Sequence, residues 1–394
     1  MIAFTKWVLK EADSRKTDTL YFLARDAYMS YLTAQRLLDI NDYDIKCRYL
    51  EGSRFAWRMA EYHLLTDAEI LDKICVGGVH VTLRKIMSRG GLSPEEIDIC
   101  ATDLGLKGLL DNKLNYSETV AYKNVLITDA RLFEYIRSHS KKAYDVAHDY
   151  FEQEGLLARD KVSIVDSGWV GTMQQTLANI VGRKVEGYYF GLYELPRGVK
   201  EEEYHTFFFA PYKDIGKKVF FSNCLFESIF SAGEGMTCGY EALDGSIIPV
   251  RETDGNPNEE RVMNNVSILQ ELLQDTEYID SIIKNEPEVY VKRMQRIMSY
   301  PTKDEAECIG SYLFSDDVNR DSIQELAVPL TIEEIGNTHA LRRALIMKGY
   351  YSRTLNESAW LEGSIARCDK SVKYNLLHCR LYKVLIYLRK MLKQ

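Results

Sequence analysis

The sequence predicts an α/β protein: a Rossmann-like parallel sheet with an inserted helical cap, followed by a mainly helical C-terminal region. Several apolar runs rich in β-branched and aromatic residues lack polar alternation, the pattern of strands covered on both faces. Helical patterns separate these runs, which calls for parallel strands joined by right-handed crossovers. Charged residues and glycines cluster where the runs end, and such sheets place ligands at the carboxyl ends of their strands.

The runs are residues 20–24 (LYFLA), 47–50 (CRYL), 162–166 (VSIVD), 185–192 (VEGYYFGL) and 206–209 (TFFF). Helices fit at about 27–38 and about 171–182. Residues 60–119 read differently. They hold TDAEILDKI and SPEEIDI, in which Ser93, Pro94 and Glu96 form a capping-box start, and are punctuated by Gly77-Gly78 and Gly90-Gly91. This stretch is the expected cap. From residue 251 the pattern becomes helical: GNPNEE is a turn, and helices are predicted over 258–275 and 331–348. The division is therefore a core of residues 1–59 and 120–250, a cap of 60–119, and a C-terminal region of 251–394.

Composition narrows the function. The chain has 394 residues, 46% of them hydrophobic and 27% charged, as in ordinary globular proteins. A net charge of −8 argues against a general nucleic-acid binder, which needs a basic surface. No apolar run approaches the ~18 residues that span a bilayer, and the first residues lack the order of a signal peptide. The eight cysteines contain no Cys-x-x-Cys pair and the seven histidines are scattered. That pattern predicts reduced thiols in a cytoplasmic protein, not a disulfide framework or a histidine-based metal centre.

Chemistry is expected at three strand ends. In VSIVDSGWVGT, a strand leads to Asp166, then a loop with Gly168, Trp169 and Gly171, then a helix opened by Thr172. Glycines let the backbone approach an anion, and the free N–H groups of a helix start favour negative charge. Asp166 can serve as a catalytic carboxylate or hold a metal ion or a ligand hydroxyl. The alternative is a tight turn with Thr172 as a simple N-cap. In FLARDA, Arg25 offers a planar fork to phosphate or carboxylate and Asp26 a general base. The alternative there is a local cap and ion pair. In LEGSR, Ser53 is a plausible N-cap and Arg54 an anion ligand, with Arg58 one turn further. Glu227, after the last core strand, is expected either at the same rim or on a solvated helix face. Asp316-Asp317 reads as a loop feature and Trp360-Leu361-Glu362-Gly363 as packing.

Taken in order, FLARDAYM, YLEGSR, VDSGWVGTMQ, YYFGL, ESIFSAGEGMTCGY and WLEGS resemble the carboxyl-terminal portion of large bacterial haloacid-dehalogenase-superfamily hydrolases. Those are typically encoded with capsule, exopolysaccharide and other surface-glycan genes. The resemblance runs from about Phe4 to Trp360. It implies a part in surface-polysaccharide biosynthesis, with a phosphorylated glycan precursor as ligand. Two departures stand out. The Asp-x-Asp-x-Thr loop of the dehalogenase domain has no counterpart, and Ala27 replaces the glycine expected after Arg-Asp.

Three readings stay open. The first is a protein of polysaccharide assembly that binds a sugar phosphate or nucleotide sugar. The second is a dehalogenase-like or phosphoribosyltransferase-like phosphotransfer enzyme, for which Mg²⁺ would neutralise developing charge. The third is a noncatalytic binding or scaffold module. The tail adds a possible partner. From Ala366 to Gln394 there are eight Lys or Arg and one acid, a net of +7 on a chain of −8, which leaves −15 on the remainder. Leucines spaced at three and four make this a basic amphipathic helix, suited either to an anionic membrane surface or to the acidic body of the protein.

Overall fold

The computed structural model describes every residue except 42, 77–80, 159–160, 254, 315–322, 349, 352, 354 and 393–394. Helix α1 (Ile2–Ser14) covers one face of a sheet that begins with β1 (Thr19–Leu23), α2 (Tyr28–Ile40), β2 (Lys46–Leu50) and α3 (Arg54–Glu61). The cap follows as α4 (Asp67–Ile74), α5 (Leu83–Arg89), α6 (Pro94–Asp103) and α7 (Tyr116–Leu126). Helix α8 (Ala130–Gln153) returns the chain to β3 (Val162–Trp169), α9 (Thr172–Val181), β4 (Glu186–Leu192) and β5 (Tyr204–Phe209).

The five strands are parallel and ordered β2-β1-β3-β4-β5. The chain therefore reverses its direction of winding between β1 and β3. A crevice opens at such a switch point, outside the carboxyl ends of the strands.

The sequence reading needs two corrections in the sheet. The strand expected to end at Asp166 continues to Trp169, because Gly168 and Trp169 pair with Gly191 and Leu192 of β4. A Cβ on Gly168 would sit 2.3 Å from the Gly191 carbonyl oxygen, so this approach requires glycine. The other correction is β2, which is an edge strand covered on one side: Lys46 and Arg48 are exposed between half-buried Cys47 and Tyr49.

The cap has its own apolar core, in which Ile70, Leu83, Ile86 and Ile97 are fully covered. Leu132, Phe133 and Ile136 of α8 join that core, whereas Ala147, Tyr150 and Phe151 pack beneath the sheet. One 24-residue helix thus belongs to both cores, and no linker separates cap from sheet. The capping box at Ser93 forms as its sequence predicts, and the structure adds a second at Thr66.

After β5 come α10 (Ile215–Val219), α11 (Asn223–Ile229) and a hairpin of β6 (Thr237–Leu243) and β7 (Ser246–Arg251). The C-terminal helices are α12 (Glu259–Gln274), α13 (Thr276–Lys284), α14 (Pro287–Ser299) and α15 (Lys303–Gly310). A two-residue ladder, β8 (Leu313–Phe314) with β9 (Gln324–Glu325), precedes α16 (Ile332–Asn337), α17 (Ala340–Met347), α18 (Leu361–Cys368) and α19 (Val372–Met391). The single helix predicted over 331–348 is two, broken at Thr338-His339. The tail is likewise interrupted, by Asp369 and Ser371 in left-handed conformations. Trp360 is fully buried and donates to the Met298 carbonyl, a packing role. Asp316-Asp317 lies outside the described residues. Among the described residues no helix is long and apolar enough to cross a membrane, and all eight cysteines are free.

Candidate functional site

At the switch point lies a cleft of about 540 Å³, walled by the sheet rim, the cap and the C-terminal region. Arg25 and Asp26 follow β1, Ser53 and Arg54 follow β2, and Asp166, Gly168, Gly171 and Thr172 follow or end β3. Glu227 reaches in from α11. The segments after β1, β2 and β3 meet on one rim because parallel strands all end on the same side of the sheet.

The local turns depend on backbone conformations that few residues adopt. Gly168, Trp169 and Gly171 have φ of 116°, 78° and 73°. A left-handed tryptophan is rare. Here its ring packs against Phe209, Phe221 and Phe226, and its indole N–H donates to a Glu227 carboxylate oxygen. Trp169 itself is 5% exposed and does not line the cleft. Its contact with Glu227 is what points that carboxylate at the rim. Gly171, not Thr172, caps α9, so Thr172 faces the cleft at the helix start without a capping bond. Gln174 fixes α9 from below, donating to the Val185 and Glu203 carbonyls and accepting from the Tyr189 hydroxyl.

Ser53 accepts from the Ala56 amide at 3.0 Å, as an N-cap should, and donates to the Thr237 carbonyl at 2.6 Å. The hairpin is thereby clamped to the end of β2. Arg251 adds an ion pair with Glu51 at 2.5 Å, and the Tyr240 hydroxyl donates to the Glu51 carbonyl at 2.8 Å.

The electrostatics divide into two sets. Asp26, Asp166 and Glu227 are desolvated and sense one another's charge. Burial, with Asp26 next, pushes Asp166 up to about 7 and Glu227 up to about 8, against the pull of Arg54. Burial also raises Asp26, opposed by Arg25, Arg54 and the hydrogen bond from Ser167. The second set is cationic. Among the described residues, no carboxylate comes within ion-pairing distance of Arg25, Arg54 or Arg58, all of which line the cleft. Arg25 and Asp26 form no local ion pair, and Asp26 does not cap α2, whose N-cap is Ala27.

Two further arginines line the cleft. Arg58 lies one helical turn beyond Arg54, a spacing visible in the sequence. Arg89 comes from the cap, where its guanidinium donates to the Ile74 and Val76 carbonyls. Nothing in its sequence surroundings marks it. Among the described residues, no group of three or more His, Cys, Asp or Glu side chains is arranged to hold a metal ion. Asp26, Asp166 and Glu227 share a cleft without forming a ligand cage.

No protein-family model matches this chain, and no curated protein sequence matches it.

Proposed function

We propose that this cleft binds a phosphate-bearing sugar derivative, a sugar phosphate or nucleotide sugar, in surface-polysaccharide biosynthesis. One observation carries the reading: Arg25, Arg54 and Arg58 face one cleft without carboxylate partners among the described residues, beside the start of α9. Guanidinium forks match phosphate oxygens bidentately, and a helix N-terminus adds backbone N–H donors. A cleft of about 540 Å³ suits a small-molecule ligand. Asp26, Asp166 and Glu227 supply groups that accept hydrogen bonds from sugar hydroxyls when ionised and donate them when protonated. The sugar and the pathway rest on the resemblance to proteins of surface-glycan clusters. A cytoplasmic location accords with eight free cysteines.

A second reading, group transfer by acid–base catalysis, is favoured by Asp166 alone. A carboxyl near 7 exchanges protons readily at neutral pH, as a general acid or base must. No metal step enters either reading.

The test is a thermal-shift panel of sugar phosphates, nucleotide sugars and the matched unphosphorylated sugars. A ligand at 100 times its Kd stabilises the fold by about 2.7 kcal/mol. Phosphorylated members should raise the melting temperature and their unphosphorylated counterparts should not. Equal shifts in both groups, or none in either, overturn the reading.

A further inference from the structure

The C-terminal helix divides its charges and its apolar residues in a way the cleft does not explain. One face holds the helix to the body: Leu376 and Cys379 are buried, Lys383 pairs with Glu362 at 2.5 Å, and Lys390 pairs with Glu194 at 3.2 Å. Arg380 lies over the Tyr300 ring. The opposite face carries Leu377, Leu381, Leu385 and Leu388, each between 43% and 55% exposed, and continues to Met391 and Leu392. The acidic body therefore pairs with two of the helix's basic residues, Lys383 and Lys390, and leaves the leucines half-exposed.

The spacing of the exposed residues separates two possible occupants. Tyr374, Leu377, Leu381, Leu385, Leu388 and Leu392 advance by 3, 4, 4, 3 and 4 residues, an average of 3.6. That period keeps the stripe straight along the helix over roughly 27 Å, whereas a coiled-coil seam needs 3.5. Charge points the same way. Lys373 and Arg389 on the helix, and Lys370 just before it, are exposed and, among the described residues, have no ion-pair partner. The adjoining α17 adds exposed Leu341 and Met347 with exposed Arg342 and Lys348. Two copies of so basic a surface repel each other. An anionic surface attracts it.

We infer that the α19 face is a docking surface for an anionic lipid bilayer, with the leucine stripe lying in the interface and the lysines and arginines against the headgroups. A straight apolar stripe with flanking cations is the form of an interfacial helix. The contact is peripheral, and it stands independently of what the cleft binds.

Co-sedimentation of the full chain with phosphatidylcholine vesicles, with or without about a third phosphatidylglycerol, tests the inference. The protein should pellet with the anionic vesicles, stay in the supernatant with the neutral ones, and be released by high salt. Leu381→Glu/Leu385→Glu should lower the bound fraction roughly tenfold or more with an unchanged melting temperature, since both side chains are already half-exposed. Lys373→Gln/Arg389→Gln should weaken binding to anionic vesicles while leaving the apolar stripe intact. Full-length protein remaining in the supernatant with anionic vesicles at low salt overturns the inference. So does equal binding by the leucine variant. A wild-type dimer that the leucine variant converts to monomer, with no vesicle binding, assigns the face to a second copy instead.

Discussion

The Ser167 hydroxyl donates to the Asp26 carboxylate at 3.2 Å, tying the end of β3 to the turn after β1. Ser167 also gives its backbone N–H to the neighbouring Asp166 carboxylate at 2.8 Å. One residue thus holds both acids of the switch point. It sets two like charges near each other in a poorly solvated cleft, and from that geometry a pH dependence follows.

In the unfolded chain both Asp166 and Glu227 ionise near pH 4. In the folded protein they hold their protons to about 7 and about 8. Between these limits the two carboxyls bind more protons in the folded state than in the unfolded one, so their contribution to stability falls as pH rises from about 4 to about 8. Urea midpoints measured across that range should show this declining contribution as the difference between wild type and variants at the two positions. Asp166→Asn or Glu227→Gln should flatten the decline, and the three acids should respond as one coupled cluster. A slope unchanged by either substitution would contradict the burial of these carboxyls.

Gly168→Ala and Gly182→Ala should differ sharply. Both positions have left-handed backbones, at φ of 116° and 66°. A Cβ on Gly182 meets nothing within 4 Å, so only the conformational cost of about 1 kcal/mol applies. On Gly168 the Cβ meets the Gly191 carbonyl oxygen at 2.3 Å, in backbone that cannot swing aside. Melting temperatures should show Gly168→Ala as much the more damaging, by roughly 3 kcal/mol or more. Comparable losses would mean that β3 and β4 are not so closely paired at this point.

Lys73 of the cap reaches fully buried Glu61 at 2.7 Å, and Thr176 and Asn179 of α9 complete that carboxylate's hydrogen bonds. Lys73→Met strands a buried charge and should cost about 3–5 kcal/mol. Adding Glu61→Gln should recover most of the loss, because the neutral amide no longer needs a cation. Denaturation of the two variants checks this. A single-variant loss below about 1 kcal/mol would mean the cap is held to the core by apolar packing alone.

Legibility in the sequence followed burial. β1, β3 and β4 lie inside the sheet, so their apolar runs are continuous, and residues flanking them fall on one rim by topology alone. Arg25, Asp26, Arg54, Asp166 and Thr172 could be placed together for that reason. β2 misled because an edge strand is covered on one side only, as Lys46 and Arg48 show. The β6–β7 hairpin went unread although Asp244-Gly245 carries a signal: both residues adopt positive φ, the turn that suits Asp-Gly. Arg89 was invisible because its place in the cleft is set by how the cap folds back, which no local pattern encodes. The tail's amphipathicity was plain, but which face would meet the body was not. Glu194, Glu325 and Glu362, distant in sequence, decided that by pairing with its cations.

The central claim is that unpartnered arginines of the cleft hold a phosphate group. Calorimetric titration of the best phosphorylated sugar from the thermal-shift panel into wild type, Arg25→Ala and Arg54→Ala, beside the melting temperature of each variant, tests it most directly. Each variant should lose roughly tenfold or more in affinity, since a charge-assisted hydrogen bond contributes about 1.5–3 kcal/mol. Neither should lose stability in proportion, because neither arginine makes a direct ion pair among the described residues. Unchanged affinity with a large fall in melting temperature would contradict the claim and make both arginines structural.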